Sequence, residues 1–198
     1  MLSVRALSRP GLRPASFDLA DGECLAVSGR SGSGKTLLLR AIADLDPNTG
    51  LLTLDGQSRE SMAAPEWRRR VGYLATEPGW WADRLGDHFG DWEAAREYLA
   101  PLGLPKDCRG ARIATLSTGE RQRLALIRTL LLESRVLLLD EPTSGLDAAT
   151  AAAVESLILA RLGLGTGIIW VTHDDAQARR IARAGLVVED GAVERIAW

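Results

Sequence analysis

Residues 29–36 carry the strongest chemical motif in the sequence, a run of glycines and serines that ends in a lysine and a threonine. The eight residues are Gly29, Arg30, Ser31, Gly32, Ser33, Gly34, Lys35 and Thr36. Their spacing is that of a phosphate-binding loop, in which glycines let backbone N–H groups point at phosphate oxygens. Lys35 adds a positive charge for the β- and γ-phosphates, and the Thr36 hydroxyl is a hard oxygen ligand for Mg²⁺. A Gly/Ser linker could match by chance, but this run lies between a predicted strand and a predicted helix, as such a loop must.

A second set of candidate residues, Asp140 and Glu141, follows the apolar run Val136–Leu139. A buried parallel strand that ends in carboxylates places them where ligands bind to such sheets. Asp140 could hold Mg²⁺ through water, and Glu141 could accept a proton from an attacking water or orient it. Pro142 comes next, so an acidic turn that merely ends the strand is the alternative interpretation. The phosphate-binding loop in the same chain favours the catalytic interpretation.

The elements that must position these residues alternate between strands and helices, which indicates a layered α/β fold. Apolar runs predict the strands, and apolar residues at helical spacing predict the helices. The predicted strands are 2–7, 24–28, 51–54, 71–75, 136–139 and 168–172, the predicted helices are 37–43, 120–132 and 148–162, and 187–196 is a predicted closing hairpin. Asp21–Gly22 is typical of a hairpin turn after the alternating residues 17–20. Residues 79–115, in which aromatic residues are spread among charges, predict a compact and mostly helical sub-lobe.

Length and composition exclude several classes of protein. The 198 residues, 46% hydrophobic and 25% charged, suit one soluble domain with a substantial core. The net charge of −2 argues against a nucleic-acid partner. Cys24 and Cys108 lack metal-ligand spacing and predict reduced thiols in a cytosolic protein. With no leader peptide and no apolar run near the roughly 18 residues of a membrane span, we expect no direct membrane insertion.

Leu116–Arg123 reads Leu-Ser-Thr-Gly-Glu-Arg-Gln-Arg, and at this point the sequence resembles a known family. Ser117 and Glu120 have the spacing of a capping box before an apolar helix, and a capped helix N-terminus beside a glycine is also a good anion site. The run is similar to the signature motif of ABC-type ATPases. Ser144–Asp147 resembles the D-loop of that family and His173 its switch histidine, in matching order along essentially the whole chain.

The resemblance implies the ABC ATPase fold, with residues 1–198 as a single nucleotide-binding domain. This α/β fold is a P-loop NTPase core with a mostly parallel sheet, an antiparallel N-terminal β-subdomain and a small helical sub-lobe, here about residues 77–133. The resemblance also implies an ATPase that binds ATP and Mg²⁺, with Lys35, Glu141 and His173 as catalytic residues. In the family, the signature motif holds the γ-phosphate of ATP bound to the opposing subunit. Ser117 and Gly119 are therefore expected to bind nucleotide across a dimer.

The partners that the resemblance implies are a second ATPase subunit, identical or similar to this one, and an integral-membrane permease. The chain would hydrolyse ATP to drive transport and would lie on the cytoplasmic face of the cell membrane, attached through the permease. Its shortness and residues 168–174 are similar to small bacterial ATPases of iron or metal exporters, with haem exporters as a second resemblance. Trp80 and Trp81 are candidate docking residues for the permease, and burial in the sub-lobe core is the alternative interpretation.

Three features depart from the family pattern. Thr76 stands where the family has a Gln that contacts Mg²⁺ and water and couples the sub-lobe to the permease. We predict Thr76 as a metal ligand of shorter reach that acts through an additional water, or Glu77 as its substitute.

The other two departures concern nucleotide contacts. Residues 7–10 contain no aromatic residue to stack on adenine, so either Arg9 or Arg13 supplies the stacking or there is none. Thr118 replaces the first glycine of the signature motif, and its Cβ would crowd a phosphate if its φ were positive. Its hydroxyl could instead donate to the phosphate.

Two other functions fit part of this pattern. A soluble ABC ATPase of DNA repair or translation would share the motifs, but those proteins usually carry long coiled-coil insertions or a second cassette. A weakly hydrolysing regulatory module would fit Thr76 and the missing aromatic residue. The residues that argue against such a module are the intact Lys35, Asp140, Glu141 and His173.

Overall fold

The computed structural model describes residues 1–197, and within them the strands form two sheets. The strands are Leu2–Arg9 (β1), Leu12–Leu19 (β2), Cys24–Ser28 (β3), Thr49–Leu54 (β4), Gln57–Ser58 (β5), Val71–Leu74 (β6), Val136–Asp140 (β7), Gly167–Val171 (β8), Ala184–Glu189 (β9) and Ala192–Ala197 (β10). The helices are Lys35–Ile42 (α1), Ala64–Arg70 (α2), Trp92–Leu99 (α3), Thr118–Leu130 (α4), Ala148–Gly163 (α5) and Asp175–Ile181 (α6). One sheet has the strand order β2-β1-β4-β5, and the other has the order β10-β9-β3-β8-β7-β6.

The larger sheet is parallel at its centre and positions the candidate residues. β3 pairs in parallel with β8 and β9, β8 with β7, and β7 with β6, while β10 runs antiparallel to β9. Every residue of β7 and β8 is buried, which is typical of parallel strands covered on both faces. The carboxyl ends of β3, β6, β7 and β8 meet at one edge. The candidate segments at or just after those ends are Gly29–Thr36, Thr76, Asp140–Glu141 and His173.

The N-terminal sheet is antiparallel, as predicted, but its hairpin lies at a different place. β1 and β2 pair with each other on either side of Pro10–Gly11. The predicted hairpin at Asp21–Gly22 is wrong, because β2 and β3 belong to different sheets. Cys24–Val27 is buried and takes two parallel neighbours, β8 and β9, so β3 has no free edge for β2.

Between β6 and β7, the described chain contains α3, α4 and short 3₁₀ turns, with an isolated bridge between Arg84 and Arg112. Much of this segment, predicted as a helical sub-lobe, consists of turns, because proline and glycine at 101, 103 and 105 end the helical pattern after α3. Trp92 of α3 and Leu124 of α4 share a buried cluster with Leu139 of β7. The segment therefore packs directly on the sheet that carries the candidate residues.

The sequence pattern does not predict two of the shorter helices, α2 and α6, although their start signals are present. Pro65 lies in the first turn of α2, and the Asp174 side chain caps α6 by accepting hydrogen bonds from the N–H groups of Ala176 and Gln177. Each helix has only seven residues, too few to show a helical period. Among residues 1–197, no helix combines the length and apolar character needed to cross a bilayer.

Candidate active site

The phosphate-binding loop connects β3 to α1 in a backbone conformation that favours glycine. Gly29 has φ +140°, and a Cβ there would lie 2.3 Å from the carbonyl oxygen of Val188, while Gly32 and Gly34 have φ values of +77° and +112°. Within the described chain, α1 begins after Gly34 with no side-chain cap and no acidic residue in its first turn. Its first N–H groups and the positive end of its dipole are therefore available to an anion.

Lys35 opens α1, and its ammonium group lies inside the loop. The residue is 6% exposed, and Nζ donates hydrogen bonds to the carbonyl oxygens of Gly29 at 2.8 Å and Arg30 at 3.0 Å. Burial lowers the pKa of Lys35, while the negative charges of Glu141 and Asp140 act in the opposite direction. The loop therefore holds a cation next to the two carboxylates, at the place where phosphate would bring further negative charge.

Thr36 and Asp140 are in contact although 104 positions separate them in the sequence. Thr36 Oγ1 donates to Asp140 Oδ2 at 2.8 Å, and the Tyr73 hydroxyl donates to the same oxygen at 3.2 Å. Burial and then the Asp140 charge raise the pKa of Tyr73, so the phenol stays protonated as a donor. A hydroxyl and a carboxylate in contact are hard oxygen ligands, and they fit Mg²⁺ with water and phosphate oxygens as its other ligands.

Glu141 and His173 form a hydrogen-bonded pair, with His173 Nε2 2.8 Å from Glu141 Oε1. Glu141 has φ +54°, a left-handed conformation, and its N–H donates to the carbonyl oxygen of Val171 at 3.2 Å. Such backbone strain costs about 1–3 kcal/mol and is concentrated at functional sites. The Glu141 side chain is 25% exposed and can reach a water molecule. A carboxylate held by an imidazole can accept a proton from such a water.

Most of the predicted loop and catalytic residues line one cleft at the edge of the parallel sheet. The lining residues are Ser31, Gly32, Gly34, Lys35, Thr36, Leu37, Glu141 and His173. Asp140 lies beside them through its contact with Thr36. Ser33 Oγ is buried in the loop and has no hydrogen-bond partner within residues 1–197, so its hydroxyl could donate a hydrogen bond to a phosphate oxygen.

Thr76, the third predicted metal ligand, lies near Asp140, but its hydroxyl contacts the backbone. Oγ1 donates to the carbonyl oxygen of Asp140 at 3.3 Å, and both Thr76 and Glu77 are exposed. Gln122 of α4 is buried nearby, and its Nε2 donates to the carbonyl oxygen of Ala75 at 3.2 Å. Gln122, which the sequence interpretation did not single out, therefore ties the signature helix to the chain just before Thr76.

The signature residues lie at the N-terminus of α4 and are not among the residues that line the cleft of the same chain. Ser117 Oγ accepts the N–H of Glu120 at 3.2 Å, and Glu120 Oε2 accepts the N–H of Ser117 at 2.8 Å, so the predicted capping box is present. A Cβ at Gly119 would lie 3.7 Å from Leu146 in the segment that resembles a D-loop. Thr118 is the first residue of the helix, and its φ is not positive, so the crowding expected for a positive φ does not arise.

Two glycine turns, at Gly11 and Gly191, border the phosphate-binding loop. A Cβ at Gly34 would lie 3.3 Å from the carbonyl oxygen of Gly11 and 3.7 Å from Gly191. The Arg13 N–H donates to the carbonyl oxygen of Gly191 at 2.8 Å, which joins the β1–β2 and β9–β10 turns.

Of the two arginines predicted to replace the aromatic platform, the structure leaves one available. Arg9 pairs with Asp46, which also accepts a hydrogen bond from Arg40 Nε at 2.7 Å. The hydrogen bonds from Arg40 and Arg9 hold the pKa of Asp46 well below its usual range. Because this ion pair holds the Arg9 guanidinium, stacking by Arg9 would require breaking it. Arg13 is exposed beside the turn and is the remaining candidate.

A glycine-rich loop between a parallel strand and a helix, with Asp140–Glu141 at the end of a nearby strand, defines a P-loop NTPase. The capped α4 beside Leu146 adds the features that resembled the ABC signature and D-loop. Residues 12–144 match the protein-family model described as ABC transporter. The chain therefore belongs to the ABC transporter family, as the resemblance implied.

Curated relatives extend the match over most of the chain. It is 35% identical to the Fe(3+) ions import ATP-binding protein FbpC of Mesorhizobium japonicum, over 93% of this chain and 55% of that protein. It is 35% identical to the phosphate import ATP-binding protein PstB 2 of Natronomonas pharaonis, over 88% of this chain and 72% of the relative. It is 38% identical to the aliphatic sulfonates import ATP-binding protein SsuB of Pseudomonas fluorescens, over 97% of this chain and 75% of that protein. The chain thus spans about half the length of the first of these relatives.

Solved structures confirm the ABC ATPase fold. A structure described as the ATP-binding subunit of an ABC transporter matches with a TM-score of 0.87 and 25% identity, over 100% of this chain and 90% of that one. A dimeric, post-hydrolysis structure of an ATP-binding cassette bound to ADP and Pi matches with a TM-score of 0.85 and 22% identity. The match covers 100% of this chain and 98% of that one. The parallel core, the antiparallel N-terminal sheet and the helical segment between β6 and β7 follow this fold.

Proposed function

We propose that this chain is the ATP-hydrolysing subunit of an ABC transporter and that a separate permease holds it at the cytoplasmic face of the membrane. The observation that carries the proposal is the Glu141–His173 contact at the cleft that also contains Lys35 and Thr36. Nucleotide binding alone would need only the loop, whereas a paired carboxylate and imidazole are what water activation requires. The names of the relatives, all import ATP-binding proteins, support coupling to transport.

In the proposed reaction, residues 29–36 hold the phosphates of ATP with backbone N–H groups and the Lys35 ammonium. Thr36 and Asp140 would hold Mg²⁺, and Thr76 would be a further candidate ligand through water. When bound, Mg²⁺ neutralises charge on the phosphates. Glu141 takes a proton from the water whose oxygen bonds to the γ-phosphorus, and His173 orients Glu141. The bond from the γ-phosphorus to the oxygen shared with the β-phosphate breaks, and ADP and phosphate leave.

We also propose that the active form is a dimer, either of two copies or with a similar ATPase. Ser117 and Gly119 lie at the N-terminus of α4, the positive end of the helix dipole, yet they do not line the cleft of their own chain. In a head-to-tail pair, these residues of one subunit would cover the phosphates bound by the other. The dimeric ATP-binding cassette that shares this fold supports the arrangement.

The structure separates the two candidate docking tryptophans, which were predicted together. Trp80 is half-buried against the core, whereas Trp81 is 69% exposed. The Arg128 guanidinium lies 4.7 Å from the centroid of each ring. Within residues 1–197, Arg128 Nη1 and Trp80 Nε1 are buried donors without a partner. The exposed Trp81 indole suits a partner segment that offers an apolar side chain, such as a helix end of the permease.

Trp81→Ala is expected to abolish recovery of a multi-span membrane protein in a pull-down from solubilised membranes, without lowering the melting temperature. Trp80→Ala serves as the comparison, because removing this packed ring should lower the free energy of unfolding by about 2–4 kcal/mol. If Trp81→Ala recovers as much permease as wild type, Trp81 has no docking role. If wild type recovers only soluble proteins, the transport proposal itself is wrong.

ATP and GTP are expected to be hydrolysed with similar kcat/KM. Stacking of a base on an aromatic ring is worth about 1–3 kcal/mol, and neither Arg9 nor Arg13 offers such a ring. Arg13→Ala should raise KM for both nucleotides by the same factor, whereas Arg5→Ala, on the same sheet and paired with Asp18, should leave KM unchanged. Steady-state assays with both nucleotides test this, and a strong preference for ATP would contradict it.

The second candidate function is a weakly hydrolysing regulatory ABC module. Thr76 favours it, because its hydroxyl is bonded to the backbone of Asp140 rather than extended like the family Gln. The wild-type turnover number decides between the two functions. The cargo cannot be read from this subunit, since the three relatives named above are named for import of three different substrates.

A further inference from the structure

A buried polar network beneath the cleft joins the chain segments that carry Glu141 and His173. This Gln177 network consists of Thr143, Glu155, Thr172, Gln177 and Arg180. Gln177 of α6 is 4% exposed, Glu155 of α5 is 8% exposed and Thr172, just after β8, is 7% exposed. Buried polar groups such as these hold a single arrangement when all of their hydrogen bonds are made.

The Gln177 carboxamide lies at the centre of the network. Its Oε1 accepts the Thr172 hydroxyl at 2.6 Å, and its Nε2 donates to Thr143 Oγ1 at 3.0 Å and to Glu155 Oε1 at 2.8 Å. Both N–H donors and the oxygen are used, so the carboxamide has one orientation. Arg180 binds both oxygens of Glu155, at 2.9 Å and 2.7 Å, and this bond lowers the pKa of Glu155 and keeps it ionised.

The network reaches the hydrogen-bonded pair from both sides. Thr172 directly precedes His173, and Thr172 Oγ1 also accepts the N–H of Asp174 at 3.1 Å, which fixes the backbone on both sides of the histidine. Thr143 lies two residues after Glu141. One carboxamide therefore sets the spacing of the two backbone segments whose side chains meet at 2.8 Å.

We propose that Gln177 is a positioning residue for hydrolysis, which holds His173 against Glu141 and links that pair to the turn that begins at Thr143. The inference rests on the proposed ATPase function. Gln177 does not line the cleft that contains the loop residues, but it lines an adjoining cavity together with Glu141 and His173. We therefore expect Gln177 to act on the reaction through that pair. The alternative role is structural, in which Gln177 only joins α5 to α6.

Two variants remove different numbers of hydrogen bonds from the Gln177 network. Gln177→Leu keeps a side chain of similar size and removes all three bonds, while Thr172→Val removes only the link to the His173 segment. Ser134→Ala is the control, because Ser134 is also buried, at 5% exposure, and donates one hydrogen bond, to Arg69, away from the cleft. We expect Gln177→Leu to lower kcat by about 10- to 100-fold, since small misplacements of catalytic groups have effects of this size. KM for ATP should change by less than about twofold, because the loop keeps its contacts.

The outcomes separate positioning from structure. If the Gln177→Leu variant folds and its kcat lies within twofold of the kcat of the Ser134→Ala variant, the proposal is overturned. If Gln177→Leu does not fold, the same comparison with Thr172→Val decides. The imidazole NMR signals give a second readout that needs no turnover, and the chain has only two histidines. The imidazole signals of His173 should shift in both variants, while the signals of His88 should keep their positions. Unchanged His173 signals would overturn the proposal. Absence of turnover in wild type would instead refute the ATPase function.

Discussion

Glu141→Gln is expected to abolish turnover while ATP remains bound. Gln has nearly the same shape as Glu and keeps an oxygen that can accept a hydrogen bond from His173, but it cannot take the proton of the attacking water. Removing a general base lowers kcat by about 10²- to 10⁴-fold. Lys35 and Thr36 keep their contacts, so the affinity for ATP should be unchanged. In the proposed dimer, ATP that is not hydrolysed would hold the two subunits together, and size-exclusion chromatography with ATP and Mg²⁺ should show a stable dimer.

Glu133→Gln is a matched control for this variant. Glu133 is also a glutamate with left-handed backbone, at φ +49°, and it is exposed away from the cleft. The Glu133→Gln variant should hydrolyse ATP at the wild-type rate and return to the monomer as ATP is consumed. Retention of more than about a tenth of wild-type kcat by Glu141→Gln would show that another group takes the proton. A wild-type chain that binds ATP without turnover would instead support the regulatory module.

The parts of this site that could be predicted are those encoded by short, local patterns. The loop at Gly29–Thr36, the strand that ends at Asp140 and the capping box at Ser117 each depend on neighbouring residue types, and each lies in its predicted element. Parallel pairing then brings the strand ends together, because carboxyl ends of parallel strands share one edge. Family resemblance added the role of His173, which no local pattern distinguishes from a structural histidine.

The contacts that could not be predicted depend on tertiary register. The prediction of a hairpin at Asp21–Gly22 was wrong because it rested on a local turn signal. The next strand, β3, is buried and pairs in parallel with β8 and β9 instead of with β2. Arg9 was one of two arginines considered for stacking on the base, but it pairs with Asp46, 37 positions away, and only the folded chain joins them. Gln177 carried no signal in the sequence, since a glutamine on a short helix is ordinarily a surface residue. Its importance comes from burial between Thr143 and Thr172.

Lys35→Arg is expected to weaken nucleotide binding strongly even though it preserves the charge. Of the 24 Lys and Arg residues in the chain, only Lys35 and Lys106 are lysines, so arginine is used at nearly every other cationic position. The Lys35 ammonium is a compact group that donates to two loop carbonyl oxygens at 2.8 Å and 3.0 Å while the residue is 6% exposed. A planar guanidinium with five donors is larger and directs its hydrogen bonds differently. It should displace the loop or project into the space of the phosphates.

The expected size of the effect is an increase in Kd for ATP of at least about tenfold and a loss of kcat/KM of about 100-fold, since the phosphates lose both a contact and their alignment. Thermal unfolding with and without ATP gives a direct measurement. Wild type at a ligand concentration of 100 Kd should gain about 2.7 kcal/mol, and Lys35→Arg correspondingly less.

Lys106→Arg provides the matched control, because Lys106 is exposed in the turn between α3 and α4 and is the other lysine of the chain. That variant should bind ATP like wild type, which would exclude a general effect of replacing lysine with arginine. If Lys35→Arg also binds like wild type, then positive charge alone suffices in the loop and the geometric argument fails. If it loses binding as expected, shape at this position, and not charge, explains why a chain that otherwise relies on arginine has lysine in its phosphate-binding loop.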